Sequence, residues 1–173
     1  MNIWPFFETP NREFAVREFA RLQHVAPATA SRYLQDLCKQ DLLKRRKERN
    51  FILYAANEDS DAYKDAKKSE NIKRIRASGL LNYLNAQFKQ PLAIFLFGSY
   101  AKGENRADSD IDMLVIVHSK KEVDLLKYEG ILKTSVQLFV HTPEEVDQMK
   151  RKNPNLINNI LNGVRLCGFW EVF

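Results

Sequence analysis

Two apolar strands enclose the polar segment of "AIFLFGSYAKGENRADSDIDMLVIV", Ala93 to Val117, and aspartates stand at alternate positions where the second strand begins. Few folds accept that pattern. Ala93 to Phe97 and Ile111 to Val117 are near-continuous apolar runs, as in strands buried on both faces. An ionised carboxylate in such a strand is costly without a partner. Asp110 and Asp112 leave the same face of the strand, about 7 Å apart along the chain. Two carboxylates so placed repel unless a cation lies between them. Gly98, ending the first strand, lets the backbone approach a ligand closely. Ser99 adds a hydroxyl and an amide at the start of a predicted short helix, where unpaired amides favour anions. Oxygen ligands on a mostly open site suit Mg2+ or Mn2+, bound by a few carboxylates plus substrate phosphates. Both halves of the motif fit one ligand, a metal-chelated nucleoside triphosphate.

Rival motifs fail on particular residues. In "GSYAKGEN" the glycines have P-loop spacing, but Glu104 and Asn105 stand where Lys and Ser/Thr are required. An EF-hand loop opening at Asp108 would place Met113 at its glycine and Ser119 at its bidentate glutamate. A polar turn capped by its aspartates explains "DSD" alone, but not its combination with strand, Gly-Ser and a second apolar strand.

The stretch "LFGSYAKGENRADSDIDMLVI" resembles the minimal nucleotidyltransferases of the DNA polymerase beta superfamily, whose pattern is Gly-Ser, about ten residues, Asp-x-Asp. The closing "NPNLINNILNGVRLCGFWEV" is similar to the end of such domains, so the resemblance covers roughly residues 70–173. It implies that Asp110 and Asp112 are metal ligands and catalytic, that Gly98 and Ser99 bind phosphate, and that a nucleoside monophosphate passes to an acceptor hydroxyl. Lys102 and Arg106 are further phosphate-binding candidates, with a solvated basic surface as the equal alternative. The family often carries a third carboxylate on the next strand, and the aligned position in "TSVQLFVHT" is Gln137. A glutamine offers a neutral oxygen but no base and no charge, and two-metal catalysis needs ligands for both ions. Either another carboxylate, with Glu129 the candidate, or one from a partner fills in, or the site binds nucleotide with slow or absent turnover.

Charge divides along the chain: +4 over residues 1–57, +2 over 58–90 and −1 over 91–173. A polyanion would therefore dock on the first half. There, Glu13 to Leu22 reads as a helix with Phe14, Phe19 and Leu22 facing inward, and Pro27 is placed to open a second helix. Ala30, Leu34, Leu37 and Cys38 form one buried stripe of that second helix, leaving Thr29, Ser31, Arg32, Gln35 and Lys39 outside. Two short strands, Leu42 to Arg45 and Phe51 to Ala55, follow, joined by a basic turn. The segment "FAVREFARLQHVAPATASRYLQDLCKQDLLKRRKERNFILYAAN" resembles the winged helix-turn-helix of transcription regulators. That resemblance implies DNA binding, with Thr29, Ser31, Arg32 and Gln35 in the major groove and Lys44, Arg45, Arg46, Lys47 and Arg49 on phosphates. A small helical domain used for protein contact is the alternative.

The expected architecture is α+β. Residues 1–57 form a winged helix-turn-helix, 58–69 a helical linker and 70–173 a nucleotidyltransferase fold, a mixed sheet flanked by helices. One helix is expected from the linker to about Phe88, with Gly79 weakening it, and others over Glu122 to Leu132 and from Pro143. Strand Val136 to Val140 and a last apolar element, "GVRLCGFWEVF", complete the second half. Trp4, Phe6 and Phe7 complete the first core or a homodimer contact. Cys38 and Cys167 read as buried free thiols, and His24, His118 and His141 as loop or strand-end residues without a neighbouring acid at ligand spacing. No membrane-length apolar run and no signal-peptide pattern is found, so a cytosolic protein is expected. The expected partners are a nucleoside triphosphate, DNA, and a protein acceptor or, in the rival reading of an antitoxin-like regulator, a toxin.

Overall fold

The computed structural model describes residues 1–171. Val172 and Phe173, which end the expected last apolar element, lie outside them. The chain divides into two compact units, Met1–Lys67 and the residues from Lys68 on.

In the first unit, α1 (Trp4–Glu8) precedes a two-residue strand β1 (Phe14–Ala15), helices α2 (Val16–Leu22) and α3 (Pro27–Lys39), and strands β2 (Leu43–Glu48) and β3 (Phe51–Ala56). The strands form an antiparallel sheet in the order β1-β3-β2. The helix expected from Glu13 begins only at Val16, because Phe14 and Ala15 pair with Tyr54 and Leu53 of β3. Leu22, expected inside, is half exposed where α2 ends. Pro27 does open α3, where its missing N–H costs no helical hydrogen bond. Ala30, Leu34 and Leu37 are buried as their spacing predicts, with Cys38 half-buried. The core is aromatic: the Phe6 ring lies 5.0 Å from Phe14 and 5.4 Å from Phe19. Tyr63, in the first turns of α4 (Asp61–Ala77), is buried against Phe7, and its hydroxyl donates to the Phe6 carbonyl at 2.8 Å. The basic run lies within strand β2, and only Arg49 and Asn50 make the turn.

Gly79, at φ +81°, breaks the expected long helix into α4 and α5 (Leu80–Gln87). The second unit continues with β4 (Ala93–Phe97), α6 (Gly98–Lys102), β5 (Ile111–Ile116), α7 (Leu126–Leu132) and β6 (Val136–His141), then α8 (Pro143–Lys152), α9 (Pro154–Leu161) and β7 (Val164–Gly168). Helix α7 starts later than expected, where the Asp124 carboxylate accepts the Leu126 N–H. The sheet is mixed, in the order β6-β5-β4-β7, with only β5 and β6 parallel. Both faces are covered. Ile94, Leu96, Met113 and Val115 pack with Leu80, Leu84 and Tyr100, while Ala93, Phe95, Leu114 and Ile116 pack with Val146, Ile157 and Ile160. By alternation Asp112 belongs to the second face, at the end of the sheet where β4 gives way to Gly98. Both cysteines are free and half-buried, and no helix among the described residues is long and apolar enough to cross a membrane.

Helix α8 begins with a capping box in which Thr142 and Glu145 satisfy each other's backbone N–H groups. Lys120 at 2.6 Å, the Thr142 N–H and His141 at 3.0 Å hold the Glu145 carboxyl down at about 2, from 4.5. The acid thus placed beside His141 is one that sequence spacing had not paired with it. A depressed carboxylate stabilises the fold above its unfolded value, and that contribution disappears as pH falls through its folded one. Denaturant unfolding of the protein and of Glu145→Gln should therefore differ by a constant margin at pH 5 and above, narrowing towards pH 2.

Candidate functional site

Strand register assembles the site. Phe97 of β4 lies opposite Asp112 of β5, and Asp112 lies opposite Gln137 of β6. The chain leaves β4 through Gly98 at φ +69°, a conformation that side-chain-bearing residues rarely adopt. A Cβ atom there would overlap the Asp112 carboxylate. Glycine is therefore required twice over, for its backbone angle and for space. Asp110 sits just ahead of β5, and its carboxylate accepts a hydrogen bond from the Gln137 amide at 2.7 Å. Burial first, and the neighbouring Asp110 second, push the Asp112 carboxyl up. Asp110 thus lies close enough to oppose the ionisation of Asp112.

Gly98, Asp110, Asp112 and Gln137 are brought together, and Ser99 follows in α6, half-buried. Lys102, in the last turn of α6, and Arg106, in the loop beyond, have exposed side chains. Glu129 does not fill the place of a third carboxylate. Its side chain accepts the N–H of Val136 at 2.8 Å, fixing the start of β6. Among the described residues, no three His, Cys, Asp or Glu side chains gather in a metal-binding group. The donors at the site are two carboxylates, with the Gln137 amide nitrogen turned to Asp110; carboxylates are hard ligands of the kind Mg2+ and Mn2+ accept with substrate oxygens completing the shell. These residues fit such an ion.

Sequence reasoning missed Asn71 and Asn105, which are 1% and 6% exposed. Asn71 lies on α4 in a stripe of Tyr63, Lys67, Asn71 and Ile75, spaced by four and each at most 2% exposed. Two polar members hide that stripe from a search for apolar periodicity. The spacing itself was the available signal.

In the first unit, Thr29, Arg32 and Gln35 are exposed on α3, and Ser31 is half-buried, accepting from the Gln35 amide at 3.2 Å. Lys44, Arg45, Lys47 and Arg49 are exposed along β2 and its turn. Arg46 differs. Its guanidinium donates twice to Glu13, at 2.7 and 2.5 Å, and meets Glu48 at 2.6 Å. Both carboxylates raise its affinity for its proton, and the Arg46 hydrogen bond in turn lowers the Glu13 carboxyl. It ties β2 to the residue before β1.

No curated protein matches this chain. Among solved structures, a "putative nucleotidyltransferase" from Sulfolobus solfataricus aligns at 20% identity, over 61% of this chain and 88% of that one, with a TM-score of 0.35. The family model described as "Nucleotidyltransferase domain" matches residues 77–167. That span is just over half of the chain and runs from the end of α4 into β7, taking in Gly98, Asp110, Asp112 and Gln137. The chain belongs to the nucleotidyltransferase domain family.

Proposed function

We propose that the protein is a metal-dependent nucleotidyltransferase whose N-terminal unit is a DNA-binding winged helix-turn-helix. The observation that carries the catalytic half is the close approach of the Gly98 backbone to Asp112, with Asp110 beside it. Gly98 and Ser99 present backbone to a triphosphate, and Asp110 and Asp112 are the residues that would hold Mg2+ or Mn2+. When bound, that ion supplies charge neutralisation at the phosphates. The acceptor's hydroxyl oxygen bonds to the α-phosphorus and loses its proton to solvent, the bond to the bridging oxygen breaks, and pyrophosphate leaves. Lys102 and Arg106, exposed on the segment between the two motif halves, are available to phosphate oxygens. Gln137 has no basicity to take the acceptor's proton. Slow turnover is the expected behaviour.

A second reading has its own support. The Gln137 amide engages the Asp110 carboxylate directly, as it would in a regulator whose transferase fold senses nucleotide or holds a toxin-like protein partner without turning over. For the first unit, the order helix, strand, helix, helix, hairpin and the antiparallel β1-β3-β2 sheet support a winged helix. Helix α3 offers Thr29, Arg32 and Gln35 to a major groove, and the hairpin offers Lys44, Arg45, Lys47 and Arg49 to phosphates. Arg46, already engaged by two carboxylates, belongs to the hairpin's own frame.

Calorimetric titration with a non-hydrolysable ATP analogue should show binding that depends on magnesium or manganese and weakens at least about tenfold in Asp112→Asn and in Gly98→Ala. Equal binding by the wild type and Asp112→Asn would remove the metal assignment. A radiolabel from α-labelled ATP on an acceptor separates enzyme from sensor.

The hairpin makes a sharper test on duplex DNA of random sequence. Lys47→Gln and Arg49→Gln should each reduce the slope of log affinity against log salt by about one. Arg46→Gln should lower the unfolding midpoint and leave that slope alone. An equal loss of slope in all three variants would return Arg46 to the interface.

A further inference from the structure

We infer that Asn71 and Asn105 are positioning residues that fasten the segment from Gly98 to Asp110 and so fix its distance from the aspartates. The functional half of this inference rests on the nucleotide-binding reading above. Both protons of one buried amide are committed: Asn71 Nδ2 donates to the Tyr100 carbonyl at 3.0 Å and to Asn105 Oδ1 at 2.7 Å. Tyr100 lies in α6, only five residues long, and the last carbonyls of a helix have no partner within it. Asn71 supplies one partner from α4. The Ser99 carbonyl is taken by the N–H groups of Gly103 and Glu104 as the chain turns at Gly103, φ +72°. Asn105 is the next residue. Beyond it, Arg106 and Ser109 close a turn through the Arg106 N–H on Ser109 Oγ at 2.9 Å and the Ser109 N–H on the Arg106 carbonyl at 3.1 Å. Asp110 follows immediately.

The acceptor side of Asn71 separates this role from simple packing. Its Oδ1 is buried with no hydrogen-bond partner, which carries a desolvation cost that a leucine of similar size would avoid. An amide kept at that cost is kept for its two donors. Turning the amide over would set its oxygen against the Tyr100 carbonyl and Asn105 Oδ1, so the arrangement has one stable sense. The Tyr100 hydroxyl in turn meets Thr134 Oγ1 at 3.3 Å, in the loop that leads to β6 and Gln137. The short helix is held at its carbonyl end by Asn71 and along its side by Thr134. The sheet fixes Asp112, and the two asparagines fix what faces it.

The test uses the full chain. Hydrogen–deuterium exchange of the wild type, Asn71→Leu and Asn105→Ala, without nucleotide, should show faster exchange confined to residues 99–110 in both variants, with β5 and β6 unchanged. Titration of the same variants with the non-hydrolysable ATP analogue and magnesium should show binding weaker by about tenfold. Unchanged exchange over 99–110, or exchange quickened evenly across the second unit as a merely structural loss would give, overturns the inference. So does undiminished analogue binding in variants whose segment has loosened. If the wild type itself binds no analogue, the nucleotide reading fails, and the exchange result still decides whether the asparagines fasten the segment. Should Asn71→Leu fail to fold, Asn105→Ala carries both measurements.

Discussion

The close packing of the Gly98 backbone on the Asp112 carboxylate is the constraint around which the second unit is arranged. It demands that β4 end beside the second residue of β5, which the antiparallel register of Phe97 and Asp112 provides. It also demands a residue without a side chain at a left-handed backbone angle. Each demand excludes a different error: a register slip would turn Asp112 to the opposite face, and a substitution would displace its carboxylate. What is protected is a half-buried acid whose ionisation is opposed both by its burial and by Asp110. A fold that preserves such an arrangement is preserving an electrostatic demand for positive charge at one point on its surface.

Gln137 changes the size of that demand without changing its place. The register puts residue 137 beside Asp112, where a third carboxylate would face the other two. The amide instead donates to Asp110, compensating one acidic oxygen with a neutral group. Two carboxylates and an amide attract a divalent ion less strongly than three carboxylates, and they compete less well for a second ion. Under the proposed function this donor set would hold one cation with the triphosphate rather than two. Binding and turnover are separable under the proposed function, because Gln137 brings no basicity to the acceptor's proton.

The strands around the motif could be read from sequence because an apolar run interrupted by Gly-Ser or preceded by paired aspartates leaves little freedom of interpretation. Strand Ala93–Phe97 falls where its residues place it, as does the helix opened by Pro27. Errors came where local pattern was outweighed by pairing at a distance. Phe14 and Ala15 have helical neighbours but join a sheet because β3 offers them partners. The basic run reads as a turn by composition and is a strand because Leu53 and Tyr54 lie opposite it. Gly79 ended a helix that apolar spacing alone would have continued.

Charged and amide side chains were harder to read than strands, and for one reason: their roles depend on partners that sequence spacing does not reveal. Arg46 stands among cations of the same type, yet Glu13, remote in the chain and adjacent in space, makes it part of the frame. Glu129 has the chemistry of a metal ligand but is committed to the backbone of Val136. Asn71 looks like an ordinary polar residue of a charged helix, and its burial in line with Tyr63 and Ile75 is what gives it consequence. In each case the residue type sets what the group can do, and the partner brought to it by the fold decides which of those things it does. Asp110 and Asp112 stood out in the sequence because a carboxylate at the start of a buried strand, with a second two positions before it, is an electrostatic cost visible without any folding.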